Sequence, residues 1–428
     1  MDGEVSALSV EPDGPDDAVV IVGAGAAGLA TAIFTRQLNP TRQVILLDGA
    51  ARPGAKILVS GGSRCNVTNS VVTEQDYWGG KRTIIRRVLR ALPVPATVTF
   101  FERIGVQLKE ERDGKLFPRS DRSREVLEAL LRAAADAGVT MSPGTRVSDV
   151  SAGRRFTLQT SSGPLRARAV VLATGGLSLP KTGSDGGGLV VAQSLGHTMV
   201  ATTPALAPLL VSDGFHAQVS GVAHDAELTV GIDGRAFERL RGAMLWTHFG
   251  ISGPVALNAS RHILRAQLES RRVTVSVSLA PSESFEALDA QWTGKAVQRG
   301  KTTVRSALAQ ELPASVAEAL LTRLGLDGGT ALTDFSRVAR RRLVHALIAL
   351  PLSVPGSRGY NYAEATAGGI RLEEIDPSTM ESRKCPSLFL VGEMLDVDGR
   401  LGGFNFQWAW SSGRAAAEGI TRTLSVHP

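Results

Sequence analysis

Residues 18–69 show the clearest succession of apolar and glycine-rich segments in the chain. The apolar run VVIV at residues 19–22 leads into the turn GAGAAG, an alanine-rich stretch follows, and a second apolar run at residues 44–47 ends in Asp48. Short uninterrupted apolar runs are typical of buried parallel strands, and the alanine-rich stretch between them predicts a helix. We therefore predict a β-α-β unit at the start of an α/β fold.

The pattern over residues 70–172 predicts helices first and then strands. Residues 70–104 read as helical with interruptions at Pro93 and Pro95, and residues 124–137 form an amphipathic pattern that Gly138 should end. Strands are expected at residues 145–150, 156–160 and 165–172.

The pattern of apolar and polar residues changes in the second half of the chain. Alternating residues over 200–280 predict antiparallel strands, and residues 282–342 read as mostly helical. A β-rich return begins near Tyr360, a further apolar strand lies within residues 386–392, and an alanine-rich helix is expected at residues 409–423. The chain therefore combines a parallel-sheet region with a β-rich and a helical region.

The glycines of the first turn have the spacing of a dinucleotide-binding site. Gly23 is expected to make the tight turn, Gly25 to let the backbone approach a pyrophosphate, and Gly28 to pack helix against strand. Asp48 can accept hydrogen bonds from both hydroxyls of an adenosine ribose, and no arginine follows it to bind a 2′-phosphate. The predicted contacts with the adenylate are Gly23, Gly25, Ala26, Ala27, Gly28, Asp48 and Gly49.

Residues 18–35 form an uncharged run of 18 residues, which is long enough to suggest a membrane helix. Its central glycines and the matching second strand favour the nucleotide-binding interpretation, so we expect no membrane partner. Two further features fit a doubly wound flavin-binding fold. The strand at 165–172 runs into Ala173, Thr174, Gly175 and Gly176, and Val147 lies where a strand edge offers its backbone to adenine.

The C-terminal segment GEMLDVDGRLGGFNFQW again places an acid and a glycine pair between a strand and a helix. Backbone N–H groups in such a place face an electron-rich ligand. In a cofactor with two ends, such as FAD, the first turn would hold the adenylate, and this distant segment would hold the ribityl chain and the isoalloxazine ring.

Composition and charge add a further expectation. The chain has 428 residues, a net charge of +6 and a pI near 9.6, and residues 81–124 alone contain twelve basic and five acidic residues. The basic residues Lys81, Arg82, Arg86, Arg87 and Arg90, and the helical face of Arg337, Arg340 and Arg341, are expected either to bind a polyanion such as RNA or to form a solvated surface.

The first residues and the two cysteines lead to further expectations. The first 17 residues contain six acids and no base, and we expect a disordered, solvated tail. Cys65 and Cys385 are far apart and form no CxxC motif, which argues against a disulfide framework and a zinc site; we expect no metal. A reducing cytoplasm is the simplest location.

Five motifs in order resemble the YhiN/BaiN-like family of bacterial flavoproteins, some members of which are named aminoacetone oxidase family FAD-binding enzymes. They are KILVSGGSRCNVTN at 56–69, LPKTGSDGGG at 179–188, THFGISGP at 247–254, TAGGI at 366–370 and the segment at 392–413. The sequence departs from the family pattern at Ser63, where glycine is usual, at Asp48, where glutamate is usual, and after Gly183.

The resemblance implies a Rossmann-like FAD-binding domain at residues 18–199 and 357–428, interrupted by a β-rich domain at 200–280 and 343–356 and a helical insertion at 281–342. It also implies reduction of an activated C=C bond. Family members include a ribosomal RNA dihydrouridine synthase and enzymes that reduce unsaturated bile-acid intermediates, and an oxidase label is also in use. Further cofactor contacts are then expected at Lys56, Ser60, Gly61, Gly62, Arg64, Cys65, Asn66, Thr68, Val147, Ala173, Thr174, Gly175, Gly176, Gly392, Glu393, Asp396, Gly402, Gly403, Phe404 and Asn405.

Reduction of uracil needs a hydride and a positioned acid. Cys65, in a glycine-rich loop beside Arg64, and His248 are the candidate catalytic residues; the alternatives are a packing thiol and a structural histidine. Only one GxGxxG motif is present, so NADH or NADPH would enter transiently. Three functions stay open: an RNA uridine reductase, a small-molecule ene-reductase or amine oxidase, and a non-catalytic RNA-binding flavoprotein.

Overall fold

The computed structural model describes residues 17–426, in which the chain forms thirteen helices and 22 strands. The helices are α1 (Ala26–Leu38), α2 (Ala55–Ser63), α3 (Arg82–Leu89), α4 (Val94–Arg103), α5 (Ser123–Asp136), α6 (Gly187–Ser194), α7 (Phe215–Gln218), α8 (Pro254–Leu268), α9 (Phe285–Gln298), α10 (Val304–Leu308), α11 (Ala314–Leu324), α12 (Arg337–Ala349) and α13 (Phe404–Val426). The predicted acidic tail lies outside the described residues except for Asp17, which pairs with Arg42 and Arg168.

The strands are shorter than the helices and alternate with them at both ends of the chain. They are β1 (Val19–Val22), β2 (Val44–Asp48), β3 (Thr68–Asn69), β4 (Tyr77–Gly79), β5 (Leu108–Glu111), β6 (Lys115–Pro118), β7 (Thr140–Pro143), β8 (Val147–Ser151), β9 (Phe156–Thr160), β10 (Gly163–Ala167), β11 (Ala169–Leu172), β12 (Met199–Ala205), β13 (Leu209–Leu210), β14 (Ala223–Ile232), β15 (Arg235–Thr247), β16 (Gly250–Ser252), β17 (Val273–Ser278), β18 (Leu350–Leu352), β19 (Gly356–Ser357), β20 (Ala365–Ile370), β21 (Leu388–Leu390) and β22 (Val397–Gly399).

A five-stranded parallel sheet in the order β21-β11-β1-β2-β7 confirms the predicted Rossmann-like α/β fold. All four residues of β1 and of β11 are buried, as expected for strands covered on both faces. Helices α1 and α13 pack against each other, and a Cβ atom on Gly413 would lie 3.0 Å from the carbonyl oxygen of Ala27. The glycine thus lets the last helix approach the first one closely.

The chain divides into two compact units. Among the described residues, unit 1 contains residues 17–202 and 365–426, and unit 2 contains residues 203–364. The sequence-based domain division, with boundaries after residues 199 and 356 and a separate helical insertion, stays a prediction. Within unit 2, helices α9 to α12 share one hydrophobic core with the strands.

Unit 2 is built around a seven-stranded sheet in the order β18-β17-β14-β15-β16-β13-β19. Its pairings are antiparallel, and α8 packs against β14 and β15. The predicted antiparallel strands are therefore present, but α8 was not expected in the region predicted as strands. This helix begins with Pro254 in its first turn after Gly253, whose φ is 86°, and it buries Val255, Ala259 and Ile263.

Two other predicted elements are wrong in part. Residues 70–81 are not helical: a short 3₁₀ turn and β4 precede α3, and at Gly79, with φ of 102°, a Cβ atom would lie 2.2 Å from the carbonyl oxygen of Asp396. The apolar run at 165–172 is two strands, because β10 pairs with β9 whereas β11 joins the parallel sheet. The backbone N–H of Arg168, between them, donates to Ala18.

The other predicted elements are present with small shifts in their ends. The helix expected at 124–137 is α5, the strands expected at 145–150 and 156–160 are β8 and β9, and the final strand and helix are β21 and α13. Within residues 17–426 no helix combines the length and the apolar character that a bilayer crossing requires.

Candidate functional site

The glycine-rich turn after β1 brings three backbone segments of unit 1 into close contact. A Cβ atom on Gly23, whose φ is 105°, would lie 2.5 Å from the carbonyl oxygen of Ala173, and one on Gly28 would lie 1.8 Å from that of Gly23. Gly25 differs, because a Cβ atom there would meet nothing within 4 Å. The turn is therefore closed against protein at Gly23 and Gly28 and open at Gly25.

The N-terminus of α1 is available to an anion. The helix has no side-chain cap and no acidic residue in its first turn, which contains Ala26 and Ala27. The first N–H groups of a helix lack intrahelical acceptors, and the helix dipole places partial positive charge on them. A pyrophosphate lying on the open side at Gly25 would meet these donors, as predicted from the sequence.

Asp48, at the end of β2, ties the turn to the second strand. One carboxylate oxygen accepts from the backbone N–H of Ala24 at 2.7 Å, and the other accepts from that of Ala50 at 2.8 Å. Each oxygen keeps a further lone pair, so the carboxylate can still accept a ribose hydroxyl. Gly49 follows, and a Cβ atom there would lie 3.5 Å from the side chain of Arg146.

The predicted adenine contact lies at a sheet edge. Val147 begins β8, which is the outer strand of the small sheet β10-β9-β8. The register of β8 against β9 is irregular between Val147 and Asp149. An edge strand has backbone groups free for a ligand, which fits the expected role of Val147.

The loop at the end of α2 has a strained backbone. Ser60 is extended, Gly61 and Gly62 are left-handed, and Ser63 and Cys65 have φ values of 66° and 61°. Left-handed geometry at non-glycine residues costs free energy and persists only when the surroundings impose it. Here the Cys65 N–H donates to the carbonyl oxygen of Ser60 at 3.1 Å and closes the loop.

Cys65 is fully buried in the hydrophobic core of unit 1. Burial raises the pKa of its thiol to about 12, against a smaller lowering effect from a hydrogen bond with Ser60. The thiol therefore stays protonated at neutral pH. This arrangement suits a packing residue or a neutral proton donor and disfavours a thiolate.

A polar network in unit 1 joins Lys56 of α2 to Glu393. The Lys56 ammonium pairs with Glu393 and donates to the Ser178 hydroxyl. The second Glu393 oxygen accepts from Ser178 at 2.5 Å and from the backbone N–H of Thr366 at 2.9 Å. The Thr366 hydroxyl in turn accepts from the N–H of Leu177 at 2.8 Å. Lys56 and Glu393, both predicted cofactor contacts, are thus held rigidly together.

Arg64 is committed to protein partners. Its guanidinium lies 2.9 Å from Glu111 and 3.3 Å from Asp121, and it sits 4.0 Å above the ring of Phe117. The Lys109 hydrogen bond, with a smaller contribution from Arg64, lowers the pKa of Asp121. In this arrangement Arg64 fixes the loop before Cys65, and its charge is balanced by carboxylates.

Four buried side-chain oxygens of unit 1 have no hydrogen-bond partner within the described residues. Two of them, the hydroxyl of Thr35 and the side-chain carbonyl oxygen of Gln43, lie outside the predicted site. The other two, the side-chain carbonyl oxygen of Asn66 and the hydroxyl of Thr174, belong to residues that were predicted to contact the cofactor. Buried polar atoms of this kind are usually satisfied by a ligand or by water. Together with the open turn at Gly25, they fit FAD, whose ring carries N–H and carbonyl groups.

The strand end after β11 is shaped by close approaches. Ala173 donates its N–H to Val22 at 2.8 Å, and Gly175 is left-handed with φ of 74°. A Cβ atom on Gly176 would lie 2.5 Å from the Thr366 hydroxyl. Only glycine therefore allows the turn to reach the network around Glu393.

The C-terminal segment also packs tightly on the first one. A Cβ atom on Gly403 would lie 2.4 Å from the carbonyl oxygen of Thr68, and the carbonyl oxygen of Gly402 accepts from Asn69 at 3.1 Å. The Thr68 hydroxyl donates to Gln407 at 2.6 Å. The predicted contacts Gly402, Gly403 and Thr68 thus come together although the sequence separates them widely.

Other predicted residues of this segment serve the protein itself. Both ends of the Asn405 amide bond the backbone of Gly399, at 2.8 and 3.0 Å. Phe404 is buried, and its carbonyl oxygen accepts from the Tyr77 hydroxyl at 2.8 Å. Asp396 is buried, and Gly392 accepts from the indole N–H of Trp408 at 3.1 Å. Their cofactor roles stay predictions.

His248 belongs to unit 2, in the turn between β15 and β16. Its ring is exposed and lies edge-on to Phe249, with a centroid distance of 5.1 Å and an interplanar angle of 83°. Cys65 and His248 therefore lie in different units, and each is a candidate on its own.

Sequence reasoning missed three residues that position the others. Ser178 and Thr366 hold Glu393, and the Gln407 amide nitrogen donates to the carbonyl oxygen of Leu92 at 2.6 Å and to Thr97 at 3.0 Å. Each of them acts across a large sequence separation. Thr366 and Gln407 lie within two of the five sequence motifs, and this was the one signal in the sequence that could have identified them.

Comparisons with known proteins show the family of the chain. The family model described as HI0933-like protein Rossmann domain matches residues 17–419. A 3-dehydro-bile acid delta(4,6)-reductase from Clostridium scindens is 32% identical over 403 residues, which cover 93% of this chain and 98% of that protein. A ribosomal RNA dihydrouridine synthase from Escherichia coli is 32% identical over 411 residues, covering 95% and 98%.

Two solved structures share the fold. An Escherichia coli quinol fumarate reductase aligns with a TM-score of 0.52 at 16% identity and covers 96% of this chain and 71% of that one. A quinol-fumarate reductase with menaquinol molecules aligns with a TM-score of 0.51 at 17% identity, covering 96% and 72%.

Proposed function

Because the chain belongs to the HI0933-like Rossmann-domain family of FAD-dependent oxidoreductases, we propose that it reduces uridine to dihydrouridine in large-subunit ribosomal RNA. The electrons would come from NADH or NADPH. The reaction adds one hydride and one proton across the C5=C6 bond of uracil and oxidises one dinucleotide for each uridine.

The sequence relatives support the reaction type. Two of them, from Escherichia coli and Haemophilus influenzae, are named ribosomal RNA dihydrouridine synthase and align with 95% and 94% of this chain. The bile acid reductase is equally similar. All three names describe the reduction of a carbon–carbon double bond.

The observation that favours RNA over a small molecule is the basic face of α3. Lys81, Arg82, Arg86, Arg87 and Arg90 are all exposed, whereas Ile85 and Val88 on the opposite face are buried. Arg86 pairs with Glu74, and the other four form no ion pair within the described residues. Such a stripe of cations on one helix face is the electrostatic footprint of a phosphate backbone.

The second basic cluster is partly neutralised by the protein. Arg340 bonds Asp289 at 2.8 Å, and the Arg340 hydrogen bond, with smaller effects of Arg341 and Arg337, lowers the pKa of that carboxyl group. Arg341 lies 4.7 Å above the ring of Phe285. We therefore assign the main RNA contact to α3.

Different residues of unit 1 would bind different parts of the cofactor. The turn at Gly25 and the N-terminus of α1 would bind the pyrophosphate, Asp48 would orient the ribose, and Asn66 and Thr174 would bond polar groups of the cofactor. Lys56, whose charge is paired with that of Glu393, would offer its remaining ammonium N–H as a hydrogen-bond donor. Bound FAD, once reduced, supplies the hydride.

Proton delivery is assigned to one of two residues. Cys65 keeps its proton at neutral pH because burial raises its pKa, and it lies in the loop after α2. His248 is exposed in unit 2 and could be the donor if substrate binds there. The C65A variant described in the Discussion separates these alternatives.

The proposal is tested with the purified FAD-loaded protein, NADPH and ribosomal RNA that lacks dihydrouridine. Mass spectrometry should detect a uridine that has gained two hydrogen atoms. A triple variant with Arg82, Arg87 and Arg90 changed to Gln should bind RNA at least about tenfold more weakly. The slope of its log binding constant against log salt concentration should be smaller by an amount that corresponds to about 2 to 3 phosphate contacts.

A matched control replaces three exposed arginines elsewhere, Arg132, Arg154 and Arg235, with Gln. This variant should bind RNA as the wild type does. Equal losses in both triple variants would mean that only net charge matters. Absence of any uridine reduction, together with rapid reduction of an unsaturated 3-oxo steroid, would instead favour the small-molecule reaction that the bile acid reductase relative suggests.

A further inference from the structure

Arg358, in unit 2, lies over two aromatic rings. It follows β19, and its guanidinium carbon lies 4.5 Å from the ring centre of Phe249 and 3.4 Å from that of Tyr362. Its backbone N–H donates to Pro208 at 3.0 Å, which fixes the start of the side chain. The cation is therefore held in one place by contacts with the faces of both rings.

The guanidinium has no other partner in the described part of the chain. No carboxylate pairs with it, and none of its five N–H groups donates a hydrogen bond to residues 17–426. The side chain is half-buried, and the two rings leave its N–H groups without acceptors from the protein. Its planar set of donors matches two oxygen acceptors on one ligand group.

The surroundings offer exposed aromatic surface. Tyr362 is 49% exposed, and His248 is exposed beside Phe249. Rings of this kind stack on unpaired nucleobases, and arginine planes extend such stacks. A single anionic carboxylate would need Arg358 but would leave the aromatic surface without a partner.

We propose that Arg358, Phe249, Tyr362 and His248 form a binding site for single-stranded RNA, named here the Arg358 platform. The guanidinium donates to the oxygens of a phosphodiester group, and an adjacent unpaired base stacks on Tyr362 or His248. The proposal rests on the proposed RNA substrate, and it adds that the RNA is bound as a single strand. A paired base in a duplex presents no free face to these rings.

The experiment measures binding by fluorescence anisotropy, with the oxidised FAD-loaded protein and no NADPH. The probes are a labelled ten-nucleotide oligouridylate and a labelled duplex RNA of the same length. Wild-type protein should bind the single strand more tightly than the duplex. R358Q should weaken single-strand binding about tenfold, and R358K nearly as much, because lysine lacks the planar fork. Tyr362→Leu should weaken it about 5- to 50-fold, and Tyr362→Phe much less.

Arg235→Gln, which removes an exposed arginine from the same unit, is the matched control and should leave binding unchanged. Each variant must keep the flavin absorbance and melting temperature of the wild type, so loss of folding is separated from loss of binding. Binding losses in R358Q no larger than in R235Q would overturn the proposal. Equal losses for the single strand and the duplex would also overturn it.

Failure of the proposed function would look different. Binding of oligouridylate needs neither NADPH nor turnover, so the Arg358 platform can be present although no dihydrouridine forms. Conversely, dihydrouridine formation with unchanged R358Q binding would retain the reaction and refute the platform.

Discussion

At the scale of single residues, Cys65 shows two properties that seldom occur together. Its backbone is left-handed, and its thiol is fully buried and neutral because burial raises its pKa to about 12. A buried thiol that only fills space could adopt an ordinary backbone. The strained loop therefore supports a role for the exact position of Cys65, next to the predicted cofactor contacts Arg64 and Asn66.

We predict that Cys65→Ala keeps bound FAD and its reduction by NADPH but loses substrate reduction by about 100-fold or more, which is typical of removing a general acid. Since the pKa is raised, the wild-type rate should not fall between pH 7 and 9 through ionisation of this thiol. Flavin absorbance, stopped-flow reduction and product mass spectrometry provide the three readouts.

Cys385→Ala is the matched control for this variant. Cys385 is also buried, and burial raises its pKa, but it lies outside the five sequence motifs. Its replacement should leave the rate of substrate reduction unchanged. Full activity of Cys65→Ala would reduce Cys65 to a packing residue and leave His248 as the remaining candidate.

At the scale of elements, two glycines of the turn between β1 and α1 should respond differently to replacement by alanine. Gly25 has φ of −81°, so alanine fits its backbone, and its Cβ would point into open space. Gly25→Ala should therefore fold with unchanged melting temperature of the apoprotein but bind FAD at least about tenfold more weakly. Flavin fluorescence titration measures the affinity.

Gly28→Ala should behave differently because its Cβ would lie 1.8 Å from the carbonyl oxygen of Gly23. The helix must then move from the strand, and the apoprotein should melt at a clearly lower temperature or fail to fold. Wild-type FAD affinity in Gly25→Ala would mean that the cofactor does not approach the open side of this turn.

A second prediction concerns the segment before β21, which is anchored to His197. The buried His197 ring lies 3.1 Å from Glu374 and 2.8 Å from the Ser382 hydroxyl. Burial lowers the pKa of His197, although Glu374 opposes this shift. Burial disfavours the charged form of Glu374, but hydrogen bonds from Lys384 and the Thr198 N–H outweigh it and lower its pKa to about 2.

The lowered pKa values of His197 and Glu374 change the pH dependence of stability in the same direction. A group whose pKa is lower in the folded state stabilises the protein above its unfolded pKa, and this stabilisation is lost as the pH falls. The melting temperature should thus decrease from pH 7 to pH 4. His197→Gln should have a lower melting temperature than the wild type at pH 7, and its melting temperature should fall less between pH 7 and pH 5. Replacement of the exposed His345 should change neither the melting temperature at pH 7 nor its fall between pH 7 and pH 5.

The sequence predicted elements best where the pattern is local. The first β-α-β unit, α5 and α13 follow from apolar runs, glycines and alanine-rich stretches. Helix α8 was missed because strands on both sides dominate the pattern, although Gly253 and Pro254 mark its beginning. The apolar run divided at Arg168 could not be separated by pattern, since the break comes from pairing with different sheets.

The site follows the same rule. The glycines and Asp48 have local spacing and were found. Ser178 lies 215 residues from Glu393, and Arg64 lies 47 residues from Glu111, so their partners depend on tertiary packing. The cofactor contacts named from the sequence stay predictions, whereas the hydrogen bonds and ion pairs of Arg64 and Asn405 with other protein groups required the structure.

At the scale of the whole molecule, each unit carries a feature suited to RNA. Unit 1 has the FAD-binding turn and the basic face of α3, and unit 2 has the Arg358 platform with His248. The relatives' names leave two substrate classes, a ribosomal RNA and a bile acid. Charge and exposed aromatic surface favour the RNA.

The most direct test is mass mapping of large-subunit ribosomal RNA from the source organism with and without the gene. The account predicts that one dihydrouridine present in the parent strain is absent from the deletion strain. The wild-type protein should restore it, and the folded Gly25→Ala variant, which binds FAD more weakly, should restore it less completely. An unchanged dihydrouridine content in the deletion strain would contradict the account.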